Sequence, residues 1–81
     1  MKRGEELRAL EDYDLFDNNV KDKIGVYLKT DSATGKHLVY FEQFGEWAEL
    51  KPDAVERVNP GKVTAKNKRF ILRVQEMKIT Y

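Results

Sequence analysis

Lys23-Ile24-Gly25-Val26-Tyr27-Leu28-Lys29-Thr30 is followed by Asp31-Ser32-Ala33-Thr34-Gly35 and then by Lys36-His37-Leu38-Val39-Tyr40-Phe41. In the first run Ile24, Val26 and Leu28 share one face of an extended chain, with Gly25, Tyr27 and Lys29 on the other, because side chains alternate along a strand. Asp31 to Gly35 carries turn formers at both ends and reverses the chain. The second run is rich in β-branched and aromatic residues, which suit a pleated, half-buried surface. Both of its faces are apolar, Val39 and Phe41 on one and Leu38 and Tyr40 on the other, as in a central strand. Gln43-Phe44-Gly45 is a second tight reversal. Glu46-Trp47-Ala48-Glu49-Leu50 is then a third strand, with Ala48 and Leu50 on one face and Trp47 on the other. Strands joined by such short loops form a meander.

Upstream, Leu7 and Ala9 alternate with Glu6 and Arg8, which predicts a short strand running into an irregular acidic loop, Asp12-Tyr13-Asp14 to Asp17-Asn18-Asn19. A single-turn helix is the alternative, since Leu7 and Leu10 also stand at helical spacing. Downstream, Lys51-Pro52-Asp53-Ala54-Val55 predicts one 3₁₀ turn, because proline presets φ near helical values. Glu56-Arg57-Val58 is a brief strand, ended by the Asn59-Pro60-Gly61 turn. Val63-Thr64-Ala65 and Phe70-Ile71-Leu72-Arg73-Val74 are expected to pair as a hairpin across Lys66-Asn67-Lys68. Met77, Ile79 and Tyr81 alternate with parity opposite to Phe70, Leu72 and Val74, which implies a bulge or break near Gln75-Glu76.

The order of elements from Ile24 to Val58 resembles the SH3-like small barrels. The residues that carry the likeness are Gly25-Val26, Val39-Tyr40-Phe41 and Trp47-Ala48-Glu49-Leu50. Lys51 to Val58 is similar to the Pro/Asp turn and last strand of prokaryotic members, and Ala9 to Asp14 to an SH3 first strand and acidic loop. Glu11 stands where the eukaryotic pattern has an aromatic residue, and that family's paired aromatic and proline in the last strand are missing. Proline-rich peptide binding is therefore not carried over. The resemblance covers roughly residues 7–58 and implies a small SH3-like barrel of about five strands there. Residues 59–81 lie outside it as an added C-terminal β-hairpin extension, the whole being a single all-β, or mainly β, domain over residues 1–81. Such barrels bind peptides, modified lysines, nucleic acids or subunit surfaces, so the fold narrows function little.

Composition agrees with one folded domain. The chain has 81 residues, 41% hydrophobic and 36% charged, with enough aromatic side chains to exclude a disordered polymer. A domain of this size buries only roughly 60% of the surface its unfolded chain exposes, so the core is small. There is no cysteine, which excludes disulfides, thiolate metal sites and cysteine nucleophiles and favours the reducing cytoplasm. No apolar run approaches the ~18 residues of a membrane span. Met1-Lys2-Arg3-Gly4-Glu5-Glu6 turns acidic at once, unlike a secretory leader. The expectation is a cytoplasmic protein with no membrane partner, of a composition that suits a stand-alone bacterial or phage accessory protein.

The net charge of +1 is unevenly spread. Residues 1–22 hold four Lys/Arg against seven Asp/Glu (−3), residues 23–59 five against six (−1), and residues 60–81 six against one (+5). Acidic and basic segments lying side by side would neutralise each other, as opposite charges do across antiparallel strands. Left apart, they would make an anion-binding end.

The chemistry points to binding and not to catalysis. His37 is the one histidine and has no Ser or Cys nucleophile at a recognisable spacing. Glu42, Glu46 and Glu49 would need burial to act as an acid/base pair. The five glycines are isolated, so there is no phosphate-cradling loop. Asp12, Asp14 and Asp17 have the spacing of the first ligands of a calcium loop, without its glycine and closing glutamate. No cofactor or metal is expected. Tyr13, Tyr27, Tyr40, Phe44 and Trp47 are the candidate protein-binding residues, although a small core also needs some of these rings. Lys62, Lys66, Lys68, Arg69 and Arg73 are the candidate nucleic-acid contacts of the alternative reading. Against it, the pI of about 7.9 lies below the value near 9 typical of such modules. The expected partner is a protein, with nucleic acid as the alternative, and the chain is a monomer or a homodimer paired along the edge of a last strand ending at Tyr81.

Overall fold

The computed structural model describes residues 1–79, with side-chain surroundings through Val74. In chain order the elements are β1 (Glu6–Ala9), β2 (Asp14–Leu15), β3 (Asn18–Asn19), β4 (Ile24–Thr30), β5 (His37–Phe41), β6 (Glu46–Leu50), a 3₁₀ turn (Pro52–Ala54), β7 (Val55–Arg57) and α1 (Ala65–Ile79). The molecule is mainly β. Five strands form one antiparallel sheet in the order β6-β5-β4-β1-β7, whose edges, β6 and β7, do not meet. The meander β4-β5-β6, the short first strand, the 3₁₀ turn and the brief strand after it all lie where alternation and turn chemistry place them. A bulge at Leu28 interrupts the β4–β5 register, which runs Tyr27 to Val39 and then Lys29 to Leu38.

Both faces of the sheet are covered. On one, Leu7, Ala9, Tyr27, Val39, Phe41, Ala48 and Leu50 form the main core, closed by Leu15 and Val20 from the β2–β3 hairpin. That hairpin lies inside the segment expected to be an irregular acidic loop. Leu15 pairs with Asn18 across a two-residue turn, Phe16-Asp17, whose φ values are 47° and 71°. Such turns demand positive φ at both positions and normally use Asn and Gly. A phenylalanine there holds a backbone conformation that costs on the order of 1–2 kcal/mol for an L-residue.

On the other face lies the largest departure from the sequence reading. Residues 65–79 form one helix, so the C-terminal β-hairpin does not exist. The alternation of Phe70, Leu72 and Val74 mimics a strand, yet Ile71 and Val74 are buried while Leu72 is 59% exposed. Asn67, Phe70, Ile71 and Val74 stand at i, i+3, i+4 and i+7, the buried stripe of an amphipathic helix. Thr64 starts it, its Oγ1 accepting the amide of Asn67 at 3.1 Å, the bond an N-cap makes. The opposite parities on either side of Gln75-Glu76 need no bulge, because a helix has no two-residue period. The strand edge expected to end at Tyr81 is replaced by helix up to Ile79, and Tyr81 itself lies outside the described residues. No described helix is long and apolar enough to cross a membrane.

One polar contact ties the N-terminal turn to the start of α1. Asn67, 6% exposed, donates from Nδ2 to the Gly4 carbonyl at 2.9 Å. Gly4 has φ 95°, and a Cβ there would lie 2.6 Å from Val63 Cγ1, so the N-terminal turn packs directly beneath the start of α1. Asn67→Ala leaves a buried acceptor without its donor, a loss of about 1–3 kcal/mol. The check is a lower urea midpoint at unchanged m-value.

Candidate functional site

The outer face of β4, β5 and β6 presents Val26, Leu28, Leu38, Tyr40 and Trp47, the positions that alternate with the main-core residues. Tyr40 and Trp47 face each other across paired strands, with ring centroids 4.9 Å apart. Phe70 descends from α1 onto both, 4.7 Å from Tyr40 and 5.9 Å from Trp47. Leu28, Ile71 and Val74 complete the contact beneath the helix.

Beside this stack the helix stands away from the sheet and leaves an open cleft of about 260 Å³. Its floor is Val26, Tyr40, Phe70 and Val74, and Glu42, Lys66 and Arg73 stand at its rim. Lys66 Nζ meets Glu42 Oε2 at 2.9 Å across the mouth, with both side chains more than 60% exposed. A pair this exposed contributes under about 1 kcal/mol and yields readily to a competing carboxylate. The volume falls just below the roughly 300–1,000 Å³ of small-molecule pockets. It suits one apolar side chain.

The five aromatic candidates do not form one surface. Tyr27 is buried in the main core, its hydroxyl 2.7 Å from Thr30 Oγ1. It is withdrawn from any partner, contrary to the expectation of an exposed ring, because β4 turns the Tyr27 face and not the Val26 face toward the larger core. Tyr13 and Phe44 are half-buried against that same core. Tyr40 and Trp47 alone come together, and Phe70, absent from the sequence candidates, joins them. Its signal was the helical spacing with Asn67, Ile71 and Val74, hidden by an equally good two-residue alternation.

The basic candidates are rearranged by the same change. Lys66, Lys68, Arg69 and Arg73 stand on α1 and not on a hairpin, and Lys62 precedes the helix. Lys66, Arg69 and Arg73 follow i, i+3, i+7 spacing and so share one flank. The ion pairs among the described residues are Arg8–Glu56, Arg57–Glu5 and Lys66–Glu42. None joins the acidic β2–β3 hairpin to α1, so the neutralisation of one charged segment by the other is not seen. The two lie on opposite faces of the sheet.

The polar candidates are dispersed. His37 Nδ1 lies 2.8 Å from Thr30 Oγ1, and its ring meets Tyr27 edge-on at 5.4 Å. Burial, with a smaller push from the positive N-terminus, lowers its pKa and favours the neutral ring. This Tyr27-Thr30-His37 chain staples the ends of β4 and β5, which are in register there. Asp12 accepts from Asn19 Nδ2 at 2.9 Å, Asp14 lies in β2 and Asp17 in the turn. No three His, Asp or Glu side chains converge as a metal site would require, among the described residues. A second hollow, of about 220 Å³, lies between Tyr13, Lys36, Glu49 and Lys51. Its walls are mixed in charge.

Comparison with known proteins finds no matching family model, no matching curated protein and no matching solved structure.

Proposed function

We propose that this chain is a non-catalytic protein-interaction module of the SH3-like class, working in the cytoplasm, whose ligand site is the helix–sheet cleft. The strand order β6-β5-β4-β1-β7 and the 3₁₀ turn before β7 support the class. The cleft carries the functional reading: an apolar, aromatic-walled floor sized for one side chain, under a rim that holds Lys66 and Arg73. A partner segment with one large apolar residue flanked by carboxylates fits both features. The ring displaces water from the floor, and the carboxylates replace Glu42 at Lys66 and reach Arg73. Exposed basic residues on α1 also suit a phosphate chain, but Glu42 stands beside Lys66 at the rim and repels one.

Trp47 is the single tryptophan, and its stacking on Phe70 makes it a reporter of the cleft. A synthetic peptide with one phenylalanine between aspartates is expected to change Trp47 emission saturably, and Arg73→Glu to weaken that response about tenfold. Mixed DNA and RNA oligonucleotides are expected to leave the emission unchanged at moderate salt. A silent peptide, with an oligonucleotide response that collapses as salt rises, overturns the reading in favour of nucleic acid.

A further inference from the structure

The hairpin tip on the far side of the sheet has the shape and charge of the ligand just described. Phe16 is 79% exposed, the most exposed large apolar side chain among the described residues. It occupies a turn position with φ 47° that ordinarily excludes it. Nothing in the fold needs it there: Leu15 and Val20 anchor the hairpin, and glycine or asparagine would relax the turn. Backbone strain of this kind clusters at functional sites, and here it holds an apolar ring out in solvent. The tip is held ready, since Asn19 Oδ1 accepts the amides of Tyr13 and Lys21 and Val20 donates to the Tyr13 carbonyl. Asp14 and Asp17 lie within two residues of Phe16 in the chain and Asp12 sits at the base of the hairpin beside Asn19, and all three are exposed.

We infer that the cleft between α1 and the sheet receives the Phe16 hairpin of a second copy of this chain. The inference rests on the cleft being a ligand site, and it names the ligand. Three features of the molecule select this occupant. The cleft takes one apolar ring, and Phe16 is a preformed one. The hairpin carries the exposed carboxylates of Asp12, Asp14 and Asp17, while the cleft rim and the adjoining helix flank carry Lys66, Arg69 and Arg73. The hairpin covers one face of the sheet and α1 the other, so the ring cannot enter the cleft of its own chain. Knob and hole lie on different surfaces, so the contact is heterologous and joins copies head to tail.

The experiment is sedimentation over a wide range of protein concentration, on the wild-type chain and two variants. Wild type is expected to associate progressively, and less so as salt rises, since the flanking contacts are ionic. Phe16→Gly relieves the turn and is expected to raise thermal stability while weakening association about tenfold or more. A merely structural role for Phe16 predicts the opposite change in stability. Arg73→Glu spoils the hole and leaves the knob. At concentrations where wild type associates, each variant alone is expected to remain monomeric, and a mixture of the two to form one-to-one dimers that grow no further, because one intact knob meets one intact hole. Wild type that stays monomeric at the highest concentrations overturns the inference. If the aspartate–phenylalanine peptide still binds, the cleft reading survives with a different partner. If the peptide is silent as well, both fall.

Discussion

Glu5→Ala is expected to destabilise the protein by about 3 kcal/mol, the lower end of what breaking a buried ion pair costs. Glu5 is fully buried. Its carboxylate receives Arg57 through Nε at 3.0 Å and through Nη2 at 2.9 and 3.1 Å, the amide of Lys2 donates to it, and the amide of Gly61 adds to its electrostatic stabilisation. The one side chain thus joins the N-terminal turn, β7 and the turn that leads toward α1. Truncation strands these donors. Arg57, 43% exposed, can rehydrate, which keeps the loss at the lower end.

The same group sets an acid limit. Burial pushes the Glu5 carboxyl up, but the two amides and the Arg57 guanidinium more than offset that and hold it below its ordinary 4.5. A carboxyl depressed in the folded state contributes stability that is complete above its unfolded pKa and is lost as pH falls through the folded one. Denaturation midpoints for wild type are therefore expected to hold from neutrality down to pH about 4.5 and to drop below it. Glu5→Gln is expected to start lower and to lose less across that drop. Equal slopes for the two proteins would assign the acid transition to other carboxylates.

Gly25→Ala is the second large effect, a loss of about 2–3 kcal/mol from a single added methyl. A Cβ at Gly25 would lie 2.5 Å from Val39 Cγ1, 2.9 Å from the Tyr40 carbonyl oxygen and 3.1 Å from Phe41 Cε1. The valine can turn away. The carbonyl belongs to the paired strand and cannot move without breaking the β4–β5 ladder, and Phe41 is fully buried. Thermal denaturation of the single variant and of Gly25→Ala with Val39→Ala measures the two parts. The double change is expected to recover little, because the backbone contact remains.

The meander was legible residue by residue. Alternation in Ile24–Thr30, His37–Phe41 and Glu46–Leu50, punctuated by Asp31–Gly35 and Gln43–Gly45, leaves one pairing pattern, and a slip of one residue would turn Val39 and Phe41 out of the core. The Pro52–Ala54 turn was equally legible, because proline restricts its own backbone wherever it stands. Of the residues stacked at the candidate site, Tyr40 and Trp47 are among the aromatic candidates that the sequence offers. Phe70 is not, because its partners Ile71 and Val74 read as a strand.

Residue order alone therefore dictates local features: the β strands of the sheet, their turns, the absence of cysteine chemistry and the acidic and basic ends. Tertiary structure decided the rest. The run from Phe70 to Val74 satisfies a period of two and a period near 3.6 equally well, and propensity cannot arbitrate between them. The outer face of the sheet does so, offering Val26, Leu28, Leu38, Tyr40 and Trp47 a cover that a helix stripe of Phe70, Ile71 and Val74 supplies. The choice of inward face on β4 is likewise collective. Tyr27 and Val26 are both apolar enough for a core, and only the closure of the main core by Leu15 and Val20 settles which of them enters it.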